Sequence, residues 1–532
     1  MNKKRIAALV AAVAVVVVIS SLVAIRKMLF LFAPNVYGLH AALFTEPERA
    51  VAPVSTVVQQ QARRSRPPNI IVILADDLGY GDVGIHGGGV IQTPHMDALA
   101  GEGAHFTSFY AAAPVCSPSR AGLLTGRYPL RSGIVGPLQA SQDTFARKAT
   151  RRAGALMAQL GVVDMPGGGS MVSGLPESEI TIAEALKVAD YQTAAIGKWH
   201  LGDFTTQPAY HPFNHGFDYF VGFNASNDDW PVAFWRGDKE IIADIGIDQA
   251  PYTRLFTEEA VHFIEQAGER PFFLYLAHKD PHQPFYPSEA FSGASDGGPY
   301  GDAVSEFDWS VGEITACVKR LDIQANTLII VTSDNGPWYE GSAGGLRGRK
   351  GQSYEGGFRV PCIAWWPDNI PAGHVVNEPA MNIDFLPTFL SLADVPLPGD
   401  RIIDGADIFP LLTGAGTLGG RPLFFSHDYD VEAVRSGDWK YVHANSHYTW
   451  PLPLDKEDNI AGQLAAGNNY HPPDSDETIP ALGSWPALYN LTVDPGEAYN
   501  VAKRHPDIAQ KLQRQLEKWK AAYYANPRGW KQ

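Results

Sequence analysis

Asn69-Ile70-Ile71-Val72-Ile73-Leu74-Ala75, followed at once by Asp76-Asp77-Leu78-Gly79-Tyr80-Gly81-Asp82, decides the fold class. A continuous apolar, β-branched run reads as a strand buried on both faces, the pattern of a parallel sheet covered by helices. The carboxylates after it fall at the carboxyl end of a central strand, where open α/β sheets bind ligands. Adjacent carboxylates are costly unless a cation or hydrogen-bond donors neutralise them. Asp76-Asp77 therefore reads either as a hard-cation site with oxygen ligands or as an Asp-rich turn capping the next segment.

The same arrangement recurs along the chain. Tyr191 to Ile196 reads as a strand, preceded by helical periodicity from Ile180 to Val188, and it leads into Gly197-Lys198-Trp199-His200-Leu201-Gly202, two titratable cations one residue apart. Phe272 to Leu276 reads as a strand that delivers His278 and His282. Pro281 and Pro284 disfavour the continuous helix that would place these two histidines on one face as a zinc pair. Thr327 to Thr332 delivers Ser333-Asp334-Asn335-Gly336, and a Gly-rich loop with Arg347, Arg349 and Lys350 precedes a strand expected over Val360 to Trp366. Each group alone reads as an ordinary exposed or capping residue. Oxygen ligands or cations at every strand end point to one active site.

A nucleophile candidate comes from Cys116-Ser117-Pro118-Ser119-Arg120-Ala121-Gly122-Leu123-Leu124-Thr125-Gly126-Arg127. Proline at a first helical position and the apolar run after it place Cys116 at a helix N-terminus. Free backbone N–H groups and the helix dipole favour an anion there, and Arg120 stands one turn along. Such a place suits sulfate or phosphate. Cys317 and Cys362 form no CxxC and no disulfide framework with it, and read as core residues.

Composition bounds the rest. The chain has 532 residues, 45% hydrophobic and 19% charged, enough for a large core. Its net charge of −15 argues against nucleic-acid binding, so an anionic substrate has to be held by a local cationic pocket. Lys3, Lys4 and Arg5 precede Ile6 to Ile25, an uncharged run long enough to span about 30 Å as a helix. A signal anchor is the first reading and a cleaved signal peptide the second. Either exports the remainder of the chain to the periplasm, extracellular space or secretory lumen. The expected divisions are residues 1–33 as anchor or signal, 34–66 as tether, 67–413 as the catalytic domain and 414–532 as a C-terminal subdomain. Residues from about Gly136 to Pro176, and from Asn445 to Gly483, read as individual loops able to shape specificity. Asn224-Ala225-Ser226 and Asn490-Leu491-Thr492 match the glycosylation acceptor pattern.

From Asn69 to Tyr523 the sequence resembles the type I sulfatases, the formylglycine-dependent branch of the alkaline phosphatase superfamily. Cys116-x-Pro118-Ser119-Arg120 with Leu124-Thr125-Gly126-Arg127 is similar to the sulfatase signature, and Lys198-Trp199-His200 to the second. Asp76-Asp77, His282-x-Pro284, Asp334-Asn335-Gly336, Lys350-Gly351 and Tyr354-Glu355-Gly356-Gly357 fall in the family's order, and Asp494-Pro495-Gly496-Glu497 with Asn500 looks like arylsulfatase A and its relatives.

The resemblance implies hydrolysis of a sulfated small molecule or glycan. It implies a maturase that oxidises Cys116 to formylglycine, and a divalent cation held by Asp76, Asp77, Asp334 and Asn335, with position 116 as a further metal residue. All-oxygen ligands favour Ca2+ over Mg2+ or Mn2+. It gives Arg120 the orientation of the nucleophile, His200 its deprotonation, Lys198 and Lys350 the sulfate oxygens, His282 with Lys350 the leaving alcohol, and Ser226 a further sulfate contact. The His-x-Pro pattern favours His282 over His278. The implied fold is an alkaline-phosphatase-like α/β domain with a mostly parallel sheet, then a smaller antiparallel sheet including Ala433 to Val442 and a terminal helix over Pro506 to Tyr524. Alternatives are a phosphodiester or phosphonate hydrolase of the same superfamily, and a membrane-tethered binder of sulfated glycans whose Cys116 is never matured.

Overall fold

Asn69–Ala75 lies in the middle of the large sheet. In this computed structural model, which describes residues 67–138, 172–229, 231–443 and 486–531, the run is strand β1, hydrogen-bonded in parallel on both sides. Ile70, Val72 and Leu74 face one hydrophobic core, and Ile71, Ile73 and Ala75 face the other. A strand in that position has no polar face, which is why its sequence does not alternate.

Nine further strands join it: β2 (Ala104–Phe106), β3 (Gln192–Lys198), β4 (Tyr219–Phe223), β5 (Phe234–Arg236), β6 (Lys239–Ile242), β7 (Phe272–Ala277), β8 (Thr327–Ser333), β9 (Cys362–Trp365) and β10 (His374–Val376). Their order is β10-β2-β9-β8-β1-β7-β3-β4-β5-β6. The five strands from β8 to β4 are mutually parallel. All five therefore end on the same edge, which is how residues up to about 260 positions apart come to share one site.

Helix α1 (Cys116–Thr125) and helix α4 (Phe385–Leu392) pack on one face of the sheet, and α2 (Tyr252–Gln266) and α3 (Gly298–Arg320) on the other. α1 starts at Cys116 itself, so Pro118 is its third residue rather than its first. Proline is still tolerated there because first-turn N–H groups have no intrahelical acceptor. Gly126, at φ 67°, closes the helix.

The strand expected over Val360 to Trp366 is divided. Arg359–Val360 belongs to a small three-stranded sheet, and Cys362–Trp365 pairs antiparallel with β8 in the large one. Pro361, lacking an N–H, sits at the break. The periodicity from Ile180 to Val188 becomes a helix over Ile182–Lys187, opened by a reciprocal cap between Thr181 and Glu184.

At the C-terminal end, β11 (Leu423–His427), β12 (Asp430–Ser436), β13 (Trp439–Val442) and β14 (Ala487–Asn490) form an antiparallel sheet. Helix α5 (Pro506–Ala525) covers it through Leu512, Leu516 and Tyr523. The expected anchor and tether, most of the two individual loops, and the end of the chain lie outside the described residues. Among the described residues no helix is long and apolar enough to cross a membrane.

Candidate active site

The carboxyl ends of β1, β3, β7 and β8 meet the N-terminus of α1. Asp76 and Asp77 leave β1 with Asp77 in the left-handed region (φ 69°), and His200 after β3 is left-handed as well (φ 54°). Asp and His tolerate that region better than most residues, but it still costs free energy that the surroundings must repay. The turn at Asp77 is fixed by its N–H donating to Asp334 Oδ1 (3.1 Å) and by Leu78 N–H donating to Ser333 Oγ (2.9 Å). β1 and β8 thus define each other's ends.

Three carboxylates and three cations interlock, all buried. Arg120, fully enclosed, donates through Nε to Asp334 Oδ2 (2.9 Å) and through a terminal nitrogen to the Lys198 carbonyl (2.8 Å), with another nitrogen 3.4 Å from Asp76. Lys198 reaches Asp76 Oδ2 (2.5 Å) and Lys350 reaches Asp77 Oδ2 (2.7 Å). The Cys116 thiol donates to Asp76 Oδ1 (3.3 Å). Burial resists ionisation of Asp76, yet Lys198, His282 and Arg120 hold its carboxyl well below the usual range. Burial, together with the charge of Asp76, pushes Asp334 up to about 7.

The histidines separate by surroundings. His278 is buried in the core, its Nε2 2.9 Å from Ser310 Oγ and its ring edge-on to Phe307. His282 donates from Nδ1 to the Gln283 carbonyl (2.6 Å), which turns Nε2 toward Asp77 Oδ2 at 3.7 Å. His200 Nε2 lies 2.5 Å from the Leu138 carbonyl. A carbonyl only accepts, so that nitrogen carries the proton and Nδ1 is left as an acceptor, buried and unpartnered. Burial, Lys198 and Arg120 keep His200 neutral.

The cluster could hold a metal ion. Ligand atoms of Asp76, Asp77, Cys116 and His282 lie within 4.8 Å of one another. Asn335 donates from Nδ2 to Asp77 Oδ1 (2.7 Å), while its Oδ1 is buried with no hydrogen-bond partner. A buried carbonyl oxygen with no donor, beside this cluster, fits the role of a cation ligand. Asp76, Asp77 and Asp334 face Arg120, Lys198 and Lys350, so these six groups carry no positive excess to attract an anion, and a bound cation would supply one.

Ser226 is buried beside this group, with its hydroxyl donating to Asp228 Oδ1 (2.5 Å). Asp228 went unnoticed in the sequence. Asp228 is exposed to solvent on one side, and what desolvation it has is outweighed by His282, Lys198 and the Ser226 hydroxyl, which lower its pKa to about 2. Its place two residues after Ser226, on the loop following β4, was the available signal. Asn224 is closed to glycosylation, being buried and bonded to Asp203 and Ala233.

A family model described as Sulfatase matches residues 68–395. The chain belongs to the sulfatase family. It is a sulfuric ester hydrolase with an α/β fold. The C-terminal part matches two more models, N-sulphoglucosamine sulphohydrolase, C-terminal (349–449) and the C-terminal region of aryl-sulfatase (419–528). This sulfatase is 36% identical over 471 residues to the N-acetylgalactosamine-6-sulfatase of Canis lupus familiaris, covering 84% of each chain. It is 35% identical to the arylsulfatase A of Homo sapiens, over 86% of this chain and 88% of that one. The crystal structure of PsFucS1 sulfatase from Pseudoalteromonas sp. superposes with a TM-score of 0.70 at 29% identity, covering 87% of this chain and 92% of that one. The phosphonate monoester hydrolase of Agrobacterium radiobacter shares the fold (TM-score 0.53, 19% identity, 86% of this chain and 96% of that one).

Proposed function

We propose that this sulfatase cleaves a sulfate ester of a glycan or small alcohol through a formylglycine made from Cys116 and a divalent cation, preferentially Ca2+. The observation that carries the reading is the meeting of Cys116, at the N-terminus of α1, with Asp76, Lys198, His200 and Lys350 in one buried cluster. Formylglycine, installed by a maturase at position 116, would supply as its hydrate an oxygen nucleophile toward sulfur that can afterwards release sulfate and return to the aldehyde. Asp76, Asp77, Asp334 and Asn335 would hold the cation, which would supply Lewis-acid charge to the nucleophile and the sulfate.

The chain's own groups do the rest. Arg120 neutralises Asp334 and Asp76 and fixes the floor beneath the nucleophile. His200 Nδ1, kept as a free acceptor by the bond from Nε2 to Leu138, takes a hydroxyl proton. Lys198 and Lys350 turn from their carboxylates to the sulfate oxygens, and His282 protonates the leaving alcohol. Ser226 and Asp228 stand beside them on the loop after β4. Residues 67–413 then act as the catalytic domain and 414–532 as a C-terminal subdomain, and the N-terminal apolar run exports the enzyme and anchors it to the membrane.

The test is turnover of the matured protein on a panel of glycan sulfates, 4-nitrophenyl sulfate, 4-nitrophenyl phosphate and a phosphonate monoester. Higher kcat/KM on sulfate esters is expected. Preference for a phosphorus ester would overturn the substrate class.

A further inference from the structure

The loop that carries Lys350 is held from the C-terminal sheet. Lys440 on β13 is wholly buried and donates to Glu355 Oε1 (3.1 Å) and to the Ser353 carbonyl (3.2 Å), and it pairs with Glu497 Oε1 (2.9 Å). Glu497, also wholly buried, accepts the N–H of Glu355 (2.7 Å), and its backbone carbonyl accepts from the Arg347 guanidinium (2.9 Å). Arg347 lies three residues before Lys350, and Ser353 and Glu355 three and five after it. The later shoulder of the loop is thus tied to one buried ion pair from the C-terminal region, and the earlier shoulder to the backbone of Glu497.

Between those shoulders the backbone reaches the catalytic elements. Lys350 N–H donates to the Pro337 carbonyl (3.0 Å), and Gly351 N–H to the carbonyl of Pro114, two residues before Cys116 (2.8 Å). Gly336, next to Asn335, donates to the Gly357 carbonyl (2.9 Å). Glu355 is further fixed by Tyr110, whose hydroxyl donates to it at 2.6 Å, and by Arg359 and Arg435 nearby. Burying such a network is expensive, and apolar side chains would join two packed regions at lower cost. What apolar contacts do not give is direction. Lys440 and Glu497 aim two of their bonds at the backbone of this one loop, at the Ser353 carbonyl and the Glu355 N–H.

We infer that Lys440 and Glu497 are positioning residues for Lys350: the C-terminal sheet sets how far that ammonium extends into the site. The role deepens the sulfatase reading and rests on it for its kinetic assay.

Lys440→Met and Glu497→Gln keep side-chain volume and remove the ion pair. Each is combined with Lys350→Ala in the full-length protein, with kcat expressed per formylglycine-bearing molecule and melting followed by circular dichroism. On 4-nitrophenyl sulfate each single change should lower kcat by about 10–100-fold, the range for residues that orient a working group. In the Lys350→Ala background the same changes should cost less than about 2-fold, because residues acting through one group are not additive. The same cycle read as affinity for inorganic sulfate on Cys116→Ala protein needs no turnover. Equal losses with and without Lys350, in either readout, would overturn the positioning role. Non-additive sulfate binding in a protein with no sulfatase turnover would support it while removing the sulfatase reading. If Lys440→Met does not fold, Glu497→Gln carries the cycle.

Discussion

The Sγ of Cys116 lies 3.3 Å from Oδ1 of Asp76, with both side chains closed to solvent. A helix N-terminus ordinarily favours thiolate, and here that effect loses. Burial, then the charges of Asp334 and Asp76, pushes the thiol well above its ordinary value. An unmodified Cys116 thus stands as the protonated thiol, donating to Asp76.

Cation removal should separate binding from fold. Exhaustive dialysis against EDTA is expected to abolish turnover and lower Tm, and added Ca2+ to restore both. Ca2+ at a hundred times its Kd contributes about 2.7 kcal/mol of stability. Scanning fluorimetry with and without Ca2+ checks this, and Asp77→Ala should erase the Ca2+-dependent shift. Full activity and unchanged Tm after EDTA would count against the site.

If His282 protonates the departing alcohol, its removal should hurt poor leaving groups most. His282→Ala is expected to lower kcat/KM by about 10²–10⁴ for an alkyl or sugar sulfate. For 4-nitrophenyl sulfate, whose phenolate departs without a proton, the loss should be far smaller. Equal losses on both substrates would assign His282 to another role.

Acid sensitivity has an identifiable source away from the site. His215 is wholly buried beside Trp199 (ring centroids 5.8 Å), neither ring nitrogen has a hydrogen-bond partner, and burial, then His211, lowers its pKa from 6.5 to about 4. The unfolded chain takes a proton near pH 6.5 and the folded one only near 4. Stability is therefore complete above pH 6.5 and falls as pH drops from 6.5 toward 4, by about 3 kcal/mol across the window. His215→Phe loses no side-chain hydrogen bond and should flatten this limb in urea titrations at pH 5 and pH 8. An unchanged slope would place the acid sensitivity elsewhere.

Much of the fold and site is legible in the sequence alone. The non-alternating run Asn69–Ala75 implies a doubly covered central strand, and the polar residues after β1, β3, β7 and β8 imply a shared edge, because parallel strands must end together. Prolines around His282 separate it from His278 for a local reason. The sequence is silent where partners are distant and nothing local marks them. Lys440 and Glu355 are 85 residues apart, and Glu355 and Glu497 are 142 apart. Asp494 to Glu497 can be matched to arylsulfatase A, but no pattern in those residues says that Glu497 grips the loop of Lys350. Val360 to Trp366 reads as one strand by its apolar character, although the missing N–H of Pro361 marks the division between two sheets.

The most direct test is mass spectrometry of the tryptic peptide containing Cys116, taken from the protein made by its native source and treated with a hydrazide probe. An aldehyde at position 116 that the probe captures, present in proportion to sulfatase activity across preparations, is the expected result. An unmodified thiol at position 116 in an active preparation would contradict the account.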